Sequence, residues 1–268
     1  MKLHIVTIVL DGMPFITWHY PILRQLKLDW HWWVVQGVAW PEKCTSWCAQ
    51  IEPRLSRDGT DEYLSNLARF DPRITHLRRT VWPGKVTMFN EALGQIDNEE
   101  YLLLQADSDE IWTKRQLEKL HDLLLPTKLD NRNCAFFRCN YFVGPNLVIT
   151  SRHGFGNRTA YEWKRAWRVQ RGVLFETHEP PKLIGFEERS YWHDDTEALR
   201  LVFDHFSWCT EAQVAFKSVY YNSLRNPNGH LYKNLLQNWK NLQLNTEWPA
   251  RLKTYFPFVD DDVIVDKI

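Results

Sequence analysis

Apolar and polar positions follow two different rhythms along the first half of the chain. Residues 3–10 are an unbroken run rich in Ile and Val, the pattern of a strand buried on both faces, and Asp11-Gly12 closes it with turn chemistry. Residues 15–27 carry apolar side chains at helical spacing. Residues 31–36 predict a second strand, ended by Gly37, and residues 38–60 are polar, contain prolines and predict a long loop. Helical spacing returns over 61–69, and 74–79 predicts a short strand. A stripe of Val86, Phe89, Ala92 and Leu93 predicts a helix over 85–96. Residues 100–105 predict another buried strand, and Asp107-Ser108-Asp109-Glu110 follows at once. Thr113 and Gln116 then form a capping box for a helix running to about Leu125.

Strand and helix thus alternate three or four times within residues 1–125, which implies a parallel sheet with helices on both faces. The second half changes character. Strands are predicted over 134–150 and 161–175, separated by the Gly-rich segment His153-Gly154-Phe155-Gly156-Asn157, and another over 199–206. Two helices follow, at about 210–225 and 229–242. The end of the chain, Phe258 to Ile268, is acidic and then apolar and is expected to be loosely held. The organisation expected is one α/β domain over residues 1–225, with a C-terminal helical extension, residues 226–268, packed on it.

Composition narrows the function. At 268 residues the chain is long enough for a sizeable core without staples. Lys plus Arg and Asp plus Glu number 33 each, so no global field attracts nucleic acid, and a nucleic-acid partner is not expected. The chain holds 14 Trp, 14 Phe and 10 Tyr, rings that fill cores and also stack on sugars and nucleobases. Its five cysteines are an odd number and no secretion signal precedes the first strand, so a reducing, cytoplasmic location is expected. Cys44 and Cys48 have a spacing used by zinc sites, but no second pair follows at a matching interval. The N-terminal apolar run is too short to span a bilayer, so any membrane contact is expected to be peripheral.

Four segments carry candidate chemistry. Asp107-Ser108-Asp109-Glu110 lies just past the carboxyl end of a buried strand, the edge at which open α/β sheets bind ligands. Alternating carboxylates in a turn suit a hard cation such as Mg2+ or Mn2+, with positions left for diphosphate oxygens. The same acids would also suit the start of the helix near Thr113. In His178-Glu179, the imidazole is a candidate third ligand of that ion and the carboxylate a candidate general base; such a pair is also a common surface feature. Asp204-His205-Phe206-Ser207 ends a further strand and brings another acid and imidazole. Lys85 stands at the first turn of a helix that also carries Asn90, where a phosphate is well received.

Taken in order, these pieces resemble family 2-like glycosyltransferases of the GT-A fold, most closely those of lipopolysaccharide-core and polysaccharide assembly in bacteria and large viruses. The likeness is carried by Ile5 to Asp11, by Gly84-Lys85 to Asn90-Glu91-Ala-Leu, and by Leu103-Leu-Gln-Ala-Asp107-Ser-Asp109-Glu110. It continues through Arg165-Ala-Trp-Arg to His178-Glu179 and His205-Phe-Ser to Lys217, and it spans residues 3–222. The resemblance implies a Rossmann-like, mixed but mainly parallel sheet flanked by helices, with C-terminal helices. It implies a metal-dependent, inverting transfer from a nucleotide-diphosphate sugar to a hydroxyl of a glycan, glycolipid or other acceptor. Asp107, Asp109 and His178 would then serve Mn2+ or Mg2+, with Asp109 the more direct ligand. Asp11 and Gln36 would meet the nucleoside, and Lys85, Asn90 and Asp107 the rest of the donor. Glu179 would be the base, with Asp204 and Glu110 in reserve. Two alternatives are a sugar nucleotidyltransferase, disfavoured because residues 8–16 contain only Gly12 and no Lys or Arg, and an inactive sugar-binding module.

Overall fold

The computed structural model describes residues 1–42, 48–127, 130–151, 163–222 and 232–268. Strand β1 (Leu3–Val9) is followed by α1 (Ile16–Leu23), β2 (Trp30–Ala39), α2 (Thr60–Phe70), β3 (Ile74–Trp82), α3 (Lys85–Leu93) and β4 (Glu100–Gln105), the alternation that the spacing predicts. Next come β5 (Glu110–Ile111), α4 (Lys114–Leu124), β6 (Cys134–Phe136), β7 (Arg138–Gly144), β8 (Leu147–Ile149) and β9 (Lys164–Gln170). Then follow β10 (Phe175–His178), β11 (Pro181–Leu183), β12 (Ser190–Tyr191), α5 (His193–Ala198), β13 (Val202–His205) and α6 (Glu211–Tyr220). The chain ends with α7 (Leu235–Gln243), β14 (Ala250–Arg251) and β15 (Ile264–Lys267).

Among the described residues the strands form a seven-stranded sheet in the order β12-β6-β9-β4-β1-β2-β3, a six-stranded sheet in the order β14-β15-β8-β7-β13-β5, and the hairpin β10-β11. In the first sheet β1 pairs in parallel with both β2 and β4, and β2 with β3. Strand β9 alone runs against its neighbours β4 and β6. This central sheet is therefore mixed and mainly parallel, whereas in the second sheet only β7 and β13 pair in parallel. From β1 the chain moves outward through β2 and β3, then returns to place β4 on the other side of β1. That reversal opens a crevice at the carboxyl ends of β1 and β4.

The two faces of β1 and β4 sort their side chains by the period of two. Leu3, Ile5, Leu102 and Leu104 pack with Ile16 and Leu23 of α1, Leu64 of α2 and Leu117 and Leu120 of α4. Val6, Tyr101 and Leu103 pack with Val86, Phe89 and Ala92 of α3. Burial of these rings and aliphatic chains supplies most of the driving force for the fold. At the crevice Gly37 has φ +138° in a bulge of β2, and a Cβ there would stand 1.9 Å from the Arg79 carbonyl oxygen. Only glycine fits that position.

Three expectations are corrected. The run 134–150 is not one strand: the chain breaks at Phe137, leaving β6 in the first sheet and taking β7 and β8 into the second. The C-terminal extension is more than helical, because β14 and β15 lengthen the second sheet and β15 pairs with β8. The tail is accordingly not loose: Val259, Val263 and Val265 are buried, and burial alternates from Val263 to Asp266, into β15, as a strand requires. The Trp239 indole N–H, shared between the Val143 and Trp208 carbonyls (2.9 and 2.7 Å), ties α7 to the same sheet. The Gly-rich segment 153–157 and Cys44 lie outside the described residues.

Candidate active site

A cavity of about 510 Å3 opens at the crevice. Its floor is the end of β1 with Gly37 and Ala39 of β2, and its wall includes the turn Asp107-Ser108-Asp109. Lys85 of α3, Arg165 of β9, His178 and Glu179 at the β10-β11 turn, and His205, Ser207 and Lys217 complete its polar lining. Tyr141, Trp163, Trp208, Phe216, Tyr220, Tyr221 and Tyr232 add aromatic rings to the lining, and Tyr141 and Trp163 touch its polar members.

The acidic turn is held by several independent contacts. Asp107 O accepts the Glu110 N–H at 3.0 Å, and Asp109 O accepts the Phe206 N–H at 2.8 Å. His19 Nε2 lies 2.9 Å from the Ser108 carbonyl. Burial keeps that imidazole's pKa low, so at neutral pH it is uncharged and donates one N–H. Glu110, fully buried, accepts the Asp107 N–H (3.3 Å) and the Arg165 guanidinium at 2.7, 3.0 and 3.1 Å. Burial pushes the Glu110 carboxyl's pKa upward, opposed by Arg165 and reinforced by the Asp107 and Asp109 charges.

The turn is not a helix cap. Thr113 accepts the Gln116 N–H at 3.3 Å and Gln116 returns to the Thr113 N–H at 2.8 Å, so the N-terminus of α4 is closed without the acids. Between turn and helix, Glu110 and Ile111 pair with β13 as strand β5. Asp107 and Asp109 face the cavity instead. Asp107 Oδ2 lies 3.8 Å from Arg165 Nη2, and Asp109 lies 3.7 Å from both His205 Nε2 and Lys217 Nζ.

The hairpin carrying His178 and Glu179 is positioned by Asn90. Its amide N–H donates to Phe175 O at 3.0 Å, and its oxygen accepts the Phe175 N–H at 2.8 Å. His178 stacks on Phe89 with ring centres 5.5 Å apart, and neither of its buried nitrogens has a hydrogen-bond partner among the described residues. Burial, with the Lys85 and Arg165 charges nearby, drives its pKa well down. Asp107 Oδ1 and His205 Nδ1 are likewise buried without partners. Unpaired polar atoms at such a density are costly unless a ligand meets them. Glu179 is exposed on the cavity lining.

Of the residues singled out in the sequence, Lys85, Asp107, Asp109, His178 and Glu179 meet in this cavity. Five do not line it. Glu110, held in reserve as a base, is fully buried and bound to the Arg165 guanidinium. Asp11 is bound to the Arg54 guanidinium and accepts the Arg57 N–H at 2.8 Å, so loop 48–59 occupies the carboxylate expected to meet a nucleoside. Gln36 is fully buried beneath the same loop, beside His76 (2.6 Å), Asp61 (2.8 Å) and the Ser56 N–H (3.0 Å). Asn90 is spent on Phe175. Asp204 points to the opposite face of β13 from His205, where it accepts from Asn140 at 2.7 Å. Arg165 and Lys217, named in the sequence only as parts of a motif, prove to be buried or half-buried cations of the wall. The tyrosines of α6 and beyond gave no sequence signal apart from their abundance.

Among the described residues no group of three or more His, Cys, Asp or Glu side chains converges on one point, so Asp107, Asp109 and His178 share a cavity without forming a three-ligand set. The two carboxylates alone still suit Mg2+ or Mn2+, which commonly take one or two protein carboxylates and complete their shell with water and substrate phosphate. The unpaired Asp107 Oδ1 is an oxygen of that kind.

No model of a known protein family matches this chain, and no curated protein matches it in sequence. Among solved structures it is similar to residues 1–349 of TarS from S. aureus, at 11% identity over 92% of this chain and 76% of that chain, with a TM-score of 0.43. It is also similar to the mannosyltransferase PcManGT from Pyrobaculum calidifontis, solved in complex with GDP-Man and Mn2+. That match has 13% identity over 91% of this chain and 65% of that chain, with a TM-score of 0.49.

Proposed function

We propose that the protein is a glycosyltransferase of the GT-A type, moving a sugar from a nucleotide-diphosphate donor to a hydroxyl acceptor with inversion. One observation carries this reading. At the switch point of the sheet, two carboxylates, three cations, an exposed glutamate and several unpaired buried polar atoms face one cavity that is also lined by aromatic rings. Its volume, about 510 Å3, is in the range of small-molecule sites.

In the proposed reaction the Glu179 carboxylate takes the proton of the acceptor hydroxyl. The acceptor oxygen attacks the anomeric carbon as the bond from that carbon to the diphosphate oxygen breaks, and the bonding pair leaves with the diphosphate. One displacement inverts the configuration, and no covalent enzyme intermediate is required. Lys85 and Arg165 provide fixed positive charge where negative charge develops. Asp107 and Asp109 would hold Mn2+ or Mg2+, which supplies Lewis-acid neutralisation of the leaving diphosphate. The aromatic lining residues suit the faces of sugar rings, on a glycan or glycolipid acceptor. A cytoplasmic location with at most peripheral membrane contact is part of the same proposal. Among the described residues no helix is long and apolar enough to cross a membrane.

The test is incubation of the purified protein with a panel of UDP-, GDP-, dTDP- and CMP-sugars and mixed oligosaccharide acceptors, followed by mass spectrometry of products. A glycosylated acceptor and stoichiometric free nucleotide are expected. Binding of a nucleotide sugar with no product from any acceptor would favour the inactive sugar-binding module.

A further inference from the structure

Lys217 stands apart from the other cations of the cavity in how it is held. It projects from α6, whose start is fixed by a capping box between Thr210 and Gln213. Its ammonium donates to the Ser207 carbonyl at 2.7 Å and to Ser207 Oγ at 2.6 Å. Ser207 Oγ is itself fixed by the Tyr141 hydroxyl at 3.0 Å. An ammonium has three N–H donors, so two bonds to Ser207 leave one. Asp109 Oδ2 stands 3.7 Å away, outside hydrogen-bond distance but close enough to balance the charge. On the other side of Asp109 is His205, whose buried Nδ1 has no partner among the described residues. The chain has therefore built a rigid ammonium whose remaining donor opens on a cavity that also holds the unpaired Asp107 Oδ1 and His178.

We propose, on the glycosyltransferase reading, that Lys217 is the resident counter-cation of Asp109 and becomes a catalytic contact to the donor's diphosphate when a divalent cation takes that carboxylate. Without metal, the ammonium balances Asp109 and competes with Mn2+ for it. With metal and donor present, Asp109 is neutralised by the ion, and the third N–H of Lys217 turns to a phosphate oxygen. Ser207 is then a positioning residue, which holds the ammonium in place through both states.

The two halves predict effects of opposite sign, read by titration calorimetry without reference to turnover. In Lys217→Met, Mn2+ alone should bind about fivefold more tightly, since one unit charge about 4 Å from the ligand carboxylate has been removed. UDP or GDP in saturating Mn2+ should bind about tenfold or more weakly, through loss of a charge-assisted hydrogen bond. Lys217→Arg should keep the diphosphate affinity close to wild type, and Ser207→Ala should weaken it by an intermediate factor. Lys217→Met protein with the wild-type melting point and unchanged UDP and GDP affinity would overturn the diphosphate contact. Unchanged or weaker Mn2+ binding would overturn the counter-cation role. Wild-type protein that binds Mn2+ but neither UDP nor GDP would instead count against the glycosyltransferase reading, and the Mn2+ comparison would still decide the counter-cation role.

Discussion

Arg165 and Glu110 form an ion pair with almost no contact with water: their side chains are 7% and 0% exposed. Burial opposes both charges, and Glu110 and Asp107 hold the guanidinium charged. Removing one partner strands the other, whereas replacing both with apolar groups costs far less. Arg165→Met alone should therefore destabilise the protein by about 3–5 kcal/mol. Arg165→Met combined with Glu110→Met should recover most of that loss. Urea unfolding of the two variants checks both values, and equal instability would mean that the pair acts through something other than charge. Glu179 poses the opposite case, an exposed carboxylate whose side chain makes no hydrogen bond or ion pair among the described residues. Glu179→Gln should keep nucleotide affinity and lower turnover by about 10^2–10^4, the usual weight of a general base. Wild-type turnover in that variant would remove Glu179 from the role.

At the scale of elements, α3 does two things at once. Its first residue, Lys85, faces the cavity, and one and a half turns later Asn90 ties down the strand that brings His178 and Glu179 there. Asn90→Ala should cost about 1–3 kcal/mol from the unpaired Phe175 backbone groups, and turnover should fall further than nucleotide affinity. A calorimetric binding titration set beside steady-state rates separates the two effects. The same helix shows what the sequence reveals and what it hides. Its apolar stripe, the buried strand β4 and the Thr113–Gln116 box are local patterns, and each was legible. That Asn90 bonds to Phe175, 85 positions away, has no local signature. Strands β5 and β11 are two and three residues long, too short to carry a period. The identity of Asp11 as an anchor for Arg54 was hidden for a related reason: a carboxylate at a strand end looks the same whether a ligand or a loop meets it.

At the scale of the whole molecule, the seven-stranded sheet carries a set of histidines along its strands. His4 accepts the Trp33 indole N–H at 2.9 Å and its other nitrogen lies 2.8 Å from Asn98, while His31 lies 2.8 Å from Thr75. Burial lowers the pKa values of His4, His31 and His76 to about 4. In the unfolded chain these imidazoles take up protons near pH 6.5, and in the folded protein only near 4. The unfolded state thus binds more protons across that window, and stability is full above about pH 6.5 and falls as pH drops toward 4. Urea midpoints at pH 7.5 and pH 5 should show the decline before most carboxylates titrate. Equal midpoints would mean that the histidines are open to protons in the native state.

The same global arrangement, a crevice between β1 and β4 facing the acidic turn, underlies the functional claim. Its most direct test is a thermal-shift series with UDP, GDP, dTDP and CMP, each with and without Mn2+, on wild type and Asp109→Ala. A nucleotide at about 100 times its dissociation constant adds about 2.7 kcal/mol, enough to raise the melting point by several degrees. The expected result is a rise with one of the three diphosphates that requires both Mn2+ and Asp109, which would also identify the donor's base. No rise with any of the four would contradict the assignment of this cavity to a nucleotide sugar.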